Sequence, residues 1–248
     1  MIKLPEGGNL QRIKNSKRTY SITPHISGGL TNPKTLKKIA DVAEKYNCTI
    51  KITSGQQIML IGLKAEEVDQ AWDDLGMKPK NRSGLKCKGV RFCPGTSFCK
   101  RGKVDSVKLG MALENKYLGM ELPSRMKMGV SGCHLSCTAP AIRDIGVVGN
   151  EEGFELRLGG SGGHKPMLAK PLANKLKHEE VLVLIDQVID YYKDQGRVGE
   201  RLGEMINRIG WEEFKKEIIN KEEVKIIISA EKFNLSDISN DFNSKCNH

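Results

Sequence analysis

Two cysteine doublets constrain this chain more than any other feature: Cys93-Pro-Gly-Thr-Ser-Phe-Cys99 and Cys133-His-Leu-Ser-Cys137. Four soft thiolates in these spacings suggest an iron–sulfur cluster and, with it, electron delivery. A zinc site is the first competitor. Structural zinc ligands usually pair about two to four residues apart, which suits the second doublet but not the first, with five residues between. Four unrelated buried thiols are the remaining alternative. Cys87 complicates the first doublet, because it too lies six positions from Cys93. Spacing alone leaves two ligand pairs open, Cys87 with Cys93 or Cys93 with Cys99.

The surrounding chain favours thiolates as ligands. Its seven cysteines are an odd count in a sequence with no basic-then-apolar leader, which argues against a disulfide scaffold and for a reducing interior. Cys48, in a strand-like run, and Cys246, in a polar tail, fall outside the site. The most apolar stretch, 181–185, is far too short to span a membrane. The expectation is a soluble, cytoplasmic protein with no membrane partner. At 248 residues it has room for one large domain or two small ones.

A net charge of +10 draws anions: nucleic acid, acidic proteins, or anionic substrates and cofactors. Most of the lysines need be no more than a solvated surface. Nucleic acid is not expected as a partner, since aromatics are 5% of the chain and no basic stripe is interleaved with stacking residues.

Residues 1–80 read as a small α/β unit: an extended run at 18–26, a helix after the Asn32-Pro33 cap, strands at 48–52 and 57–61, and a helix at 65–75. Leu36, Ile39, Ala40 and Ala43 make the apolar face of the first helix. Residues 77–84 read as a linker. A second domain over 85–219 carries a helix at 104–117, strands at 126–130, 141–148 and 154–158, and a long helix at 179–192. Short helices near 200–209 and 211–219 follow, and 220–248 reads as a polar extension. The run Leu158-Gly-Gly-Ser-Gly-Gly-His164 fails the dinucleotide and phosphate-loop fingerprints. It is either a tight turn that brings backbone close to a large planar ligand, through Gly160 and Gly162, or a plain surface turn.

Taken together, the doublets and their surroundings resemble the siroheme-dependent sulfite and nitrite reductases. Cys93 and Cys99 match that family's C-x5-C element, and Cys133 and Cys137 its C-x3-C element. Ala141-Ile-Arg-Asp-Ile-Gly-Val-Val-Gly149, Leu158-Gly-Gly and Gly199-Glu-Arg-Leu-Gly-Glu204 are similar to later family landmarks. Ile22-Thr-Pro-His-Ile-Ser-Gly-Gly29 and Lys51-Ile-Thr-Ser-Gly-Gln-Gln57 resemble the start of its small N-terminal domain. The likeness covers 18–215. It implies an α+β protein: a ferredoxin-like α/β half-domain, then a mixed α/β domain for siroheme and a 4Fe–4S cluster.

The resemblance implies that Cys93, Cys99, Cys133 and Cys137 ligate the cluster, with Cys137 bridging to siroheme, and it sets Cys87 aside. Arg91 matches a family anion-binding arginine. Leu122-Pro-Ser-Arg-Met-Lys127 resembles the family's L-P-x-K-x-K element, placing Arg125 and Lys127 over the substrate. Strand alternation turns those two the same way. Thr53, Gln56, Gly160 and Gly162 are implied cofactor contacts. Lys100, Arg101 and Arg143 are either partners of siroheme's carboxylates or surface charge, and His134 is a local hydrogen-bonder.

Three departures accompany the likeness. His25 stands where the family usually has arginine in an R-x-P-G-G element, and Gly55 stands at the arginine of T-x-R-Q. His25 can still donate a hydrogen bond or a proton at the site. The chain also holds one module where longer members hold two, so it is a self-contained reductase or a homodimer. It lacks a flavin or nicotinamide motif, so an acidic ferredoxin or flavodoxin is the expected donor. The activity implied is six-electron reduction of sulfite or nitrite. Sulfite leads, through likeness to small anaerobic sulfite reductases. The alternative is a siroheme-bearing electron-transfer or sensing protein, which His25 and Gly55 keep open.

Overall fold

The computed structural model describes residues 5–11, 18–79 and 84–220. The extension expected over 220–248, including Cys246, lies outside these residues apart from Asn220. The chain divides into two compact units, Met1–Ser83 and Gly84–His248.

The first unit runs β1 (Asn9–Leu10), β2 (Tyr20–Ile22), α1 (Pro33–Lys45), β3 (Thr49–Ile52), β4 (Ile58–Leu63) and α2 (Val68–Leu75). Its antiparallel sheet has the order β1-β2-β4-β3. Asn32 starts α1 as its sequence predicts: the side chain accepts the Thr35 N–H at 2.9 Å and Pro33 fills the first helical position. The buried face is Ile39, Val42 and Ala43. Leu36 and Ala40, expected on that face, are exposed, because Val42 supplies the i+3 contact instead. The expected extended run at 18–26 is a strand only over Tyr20–Ile22. Beyond Pro24, a tight turn at Ser27–Gly29 ends it.

The second unit contains β5 (Arg91–Phe92), α3 (Gly95–Phe98), α4 (Ser106–Tyr117), β6 (Met128–Ser131), β7 (Ile145–Asn150), β8 (Gly153–Leu158), β9 (Lys170–Leu176), α5 (His178–Gln195), α6 (Leu202–Ile209) and α7 (Trp211–Ile219). The sheet runs β5-β6-β7-β8-β9, parallel among the first three strands and antiparallel after them.

Alternation gives this sheet two unlike faces. Register places Phe92, Met128, Val130, Ile145, Val147, Leu156 and Leu158 on one side, all buried in a core with Leu109 and Leu113 of α4 and Val181, Leu184, Ile185 and Val188 of α5. The other side pairs Arg91 with Gly129, Gly129 with Gly146, and Gly146 with Arg157. It is polar and glycine-lined, so chain and ligands can approach its backbone.

The expected strand at 141–148 begins later, at Ile145. Ala139 adopts a left-handed conformation (φ 53°) and Pro140 opens a short 3-10 turn, so residues before Arg143 cannot join the ladder. β9, which contains Pro171, lies outside the strands that the sequence predicts. It is an edge strand, where a missing N–H is tolerated.

Gly110 brings α4 onto β5 at close range: a Cβ there would lie 2.2 Å from the Phe92 ring. Gly110→Ala gains about 1 kcal/mol of helix propensity, but overpacking costs about 1–3 kcal/mol. The clash is with a buried ring, so the variant should be net destabilised in urea unfolding.

Candidate functional site

Parallel pairing of β5 and β6 brings the two cysteine turns together. Both strands end at the same edge, and each runs directly into a cysteine-bearing turn. The Cys93 N–H donates to Val130 O at 3.1 Å, and the Gly132 N–H donates to Cys93 Sγ at 3.0 Å. Ser106 Oγ lies 3.4 Å from the same sulfur and donates to Cys93 O at 2.8 Å. The turn after Cys93 seats on the turn after β6 by backbone contact: a Cβ on Gly132 would fall 2.8 Å from Gly95 Cα. Cys93 and Cys133 are buried, Cys99 is partly exposed and Cys137 is exposed. His134 is exposed, and its carbonyl accepts the Ser136 hydroxyl at 3.1 Å.

The loop after Cys133 then folds back over the polar face of the sheet. Thr138 Oγ1 meets Ser131 Oγ at 2.8 Å, and a Cβ on Gly146 would lie 2.2 Å from Pro140 O. Arg143 donates from Nε and Nη2 to Thr138 O, both at 3.2 Å. The Arg143 guanidinium is therefore anchored by the backbone carbonyl of the residue after Cys137. Gly160 and Gly162 underlie this loop; their missing side chains make room for the backbone of Ala141 and Arg143 and for the Ile142 side chain.

Arg91, Arg143 and Lys127 gather on this face. Burial lowers the pKa of all three, Arg91 adds to the effect on Arg143, and Arg125, Arg201 and Arg143 add to it on Lys127. Crowded cations pushed toward their neutral forms are well suited to binding an anion. Arg125 and Lys127 precede β6 rather than alternating along a strand, and Arg125 is exposed where Lys127 is half-buried; Lys100 and Arg101 lie exposed on the turn after Cys99.

The opposing anion is Asp144, which neither spacing nor motif singled out. Its carboxylate accepts the Lys127 N–H at 2.7 Å and the Arg201 fork at 2.8 and 2.6 Å. Burial pushes its pKa up, and Arg201 with the Lys127 N–H pulls the other way. An acid immediately before the apolar run of β7 is the available signal, since such a group needs partners when buried.

His25, Thr53 and Gln56 belong to the first unit. There the two motif segments meet: the Gln57 side chain brackets Ile26, accepting its N–H at 3.0 Å and donating to its carbonyl at 2.6 Å. His25 Nε2 lies 3.3 Å from Ser27 Oγ. The Thr53 hydroxyl closes the 53–57 turn, donating to Gln57 O at 3.0 Å and accepting the Gly55 N–H at 3.2 Å. Gln56 occupies the left-handed region at φ 59°.

Cys87 is set apart from the other thiols. It pairs with Met126, toward the start of β6, whereas Cys93 follows the end of β5. Six extended residues span about 20 Å. Burial drives the Cys87 thiol up to about 12, with Asp144 and Glu114 adding to it, so it stays protonated where a ligand must be a thiolate.

Two family models match the chain. The nitrite and sulphite reductase 4Fe–4S domain covers residues 83–226, and the nitrite/sulfite reductase ferredoxin-like half domain covers residues 12–78. The chain belongs to the nitrite and sulphite reductase family. One relative, the assimilatory-type sulfite reductase of Nitratidesulfovibrio vulgaris, is 35% identical over 216 residues, 87% of this chain and 98% of that protein. The NAD(P)H nitrite reductase of Bacillus subtilis is 41% identical over 194 residues, 77% of this chain but only 24% of that protein. The NirA protein of Mycobacterium tuberculosis shares the fold with a TM-score of 0.74 at 21% identity, over 87% of this chain and 45% of NirA. Dissimilatory sulfite reductase I shares it with a TM-score of 0.72 at 14% identity, over 88% of this chain and 73% of the other.

In chemistry and order the two cysteine doublets suit the family's cluster. Both doublets leave the same end of the sheet, although among the described residues no three of these thiols stand close enough to form a metal-holding group; Cys93 already accepts an N–H at sulfur, and hydrogen bonds of that kind tune a cluster's potential. The family depends on siroheme, whose many carboxylates suit the Arg91–Arg143–Lys127 group. Cys87→Ser should keep the cluster and tetrapyrrole absorption, whereas Cys93→Ser and Cys99→Ser should lose the cluster. Anaerobic absorption with iron analysis checks this; iron loss from Cys87→Ser but not from Cys99→Ser would reverse the assignment.

Proposed function

We propose that this chain reduces sulfite to sulfide with siroheme and a 4Fe–4S cluster, in the cytoplasm, using electrons from an acidic carrier such as ferredoxin or flavodoxin. The observation that carries the reading is the meeting, on one glycine-lined sheet face, of two cysteine turns with a crowded group of cations. Sulfite is favoured over nitrite because the likeness to the N. vulgaris sulfite reductase runs through 98% of that protein. Among the described residues, no helix is long and apolar enough to cross a membrane.

Reducing bisulfite to hydrosulfide consumes six electrons and six protons and releases three waters, so a site must hold an oxyanion and feed it protons repeatedly. When bound, siroheme and the cluster supply the electron path and an open iron position. Cys93, Cys99, Cys133 and Cys137 would hold the cluster, with Cys137, the exposed thiol, facing siroheme. Arg91 and Arg143 neutralise carboxylates and orient the oxyanion through their planar forks. Lys127, half-buried, donates protons to departing oxygens, and Arg125 adds charge at the rim.

A second reading has a specific basis. His25 and Gly55 replace arginines that the family uses near its cofactors, which would suit an electron-transfer or sensing protein. Reduced viologen with sulfite, and separately with nitrite, decides between them. Six-electron turnover excludes the carrier; a fully loaded but inert protein excludes the reductase.

As a proton donor Lys127 must be charged, so turnover should persist below its pKa and fade as pH rises through it. Burial and three neighbouring arginines lower that pKa, placing the alkaline limb below the ordinary lysine range. Lys127→Met should reduce kcat by about 10²–10⁴-fold and remove this limb from the viologen pH profile.

A further inference from the structure

Asp144 sits, 1% exposed, where the cysteine-bearing loop enters β7. Besides the Lys127 N–H and the Arg201 fork bound by its side chain, its carbonyl accepts the Gly159 N–H at 2.8 Å. Arg201 is fixed in turn. Its N–H donates to Glu204 Oε2 at 2.8 Å, and the preceding carbonyl, of Glu200, accepts the Tyr192 hydroxyl at 2.5 Å. One carboxylate thus ties the segment that enters β6, which presents Lys127, to the start of α6.

The same groups surround the Lys127 ammonium. Arg125 two residues before it, Arg201 at the start of α6 and Arg143 on the return loop repel it, in that order of strength, and Asp144 attracts it more weakly. Tyr192 and Glu204 act on Arg201 as well, each favouring its charged form. Stability alone does not explain such a pair, since matched neutral groups in a core often do as well as a buried ion pair. Neutral groups would not, however, act on a neighbouring charge.

We infer that the buried Asp144–Arg201 pair is the positioning element for Lys127, holding the backbone from which it projects and setting the charge balance around its ammonium. This rests on Lys127 being the proton donor of the proposed reductase; Asp144 and Arg201 act through it. In the step they support, a Lys127 Nζ–H bond breaks and the proton joins a substrate oxygen. The neutral amine left behind is reprotonated by solvent, and the electrons come from the external carrier.

The charge on Lys127 can be read without turnover, by labelling the cofactor-loaded protein with an amine-acylating reagent across pH and quantifying the modified peptide. Asp144→Asn removes the attracting charge at constant shape, and the labelling midpoint should fall below the parent's. Asp144→Asn combined with Arg201→Gln removes both charges. Because Arg201 outweighs Asp144, that midpoint should rise above the parent's. A merely structural pair produces no such opposed shifts. Unchanged midpoints in folded, loaded variants overturn the inference. If the single variant does not fold, the double variant decides alone, and its own failure to fold counts against the inference, since a matched neutral pair preserves packing. Lys127→Met separates the two levels. Undiminished reductase turnover there removes the proton-donor reading, whereas lost turnover with immobile midpoints removes only the role of the pair.

Discussion

The parallel pairing of β5 with β6 is the constraint on which the rest of the second unit depends. Arg91 lies opposite Gly129 and Phe92 opposite Val130, and the register leaves no choice about where the chain goes next. Both strands deliver a cysteine turn to the same edge, and the Gly132 N–H reaches the sulfur of Cys93 across the join. Strands running antiparallel would send the two turns to opposite ends of the sheet. A one-residue slip would turn Arg91 and Lys127 into the apolar core, a cost no cofactor could offset.

Charge is distributed as unevenly as hydrophobicity. The chain carries a net +10, but the part that matters is the small group of cations held under partial burial on one sheet face. Burial lowers the pKa of all three, and neighbouring arginines add to the effect on Arg143 and Lys127, so the group favours an anion beside it. Asp144 meets only part of that demand, because its carboxylate is already occupied by Arg201 and the Lys127 N–H. The remaining demand is available to a ligand.

Local signals in the sequence reported local structure well. The Asn32-Pro33 cap, the helix at Ser106–Tyr117 and the stripe of α5 all lie where spacing predicted them, because caps and apolar periodicity act within a few turns. The cysteine doublets were legible for the same reason, each being a short motif. What escaped depends on long-range pairing. Pro171 disguised β9, whose position at the sheet edge excuses the proline. Pro140 shortened the strand expected at 141–148, since the chain had first to turn over the sheet. Asp144 and Arg201 are 57 residues apart, and no spacing rule connects an acid at the entry to a strand with the arginine at the start of a distant helix.

The seat of the cysteine-bearing loop has an asymmetry that bears on how such a protein can diverge. The sheet receives the loop at glycines, and at Gly146 what it meets is a backbone carbonyl, that of Pro140. Backbone is common to nearly every residue, so the exposed loop positions between the cysteines, His134 and Leu135, can drift in identity without altering the fit. Gly146 beneath has no such latitude, because any side chain would lift the loop from its seat. Variation in the rim of the site is therefore tolerated and variation in its floor is not, which lets descendants of one scaffold change the rim while the cysteine turns stay put.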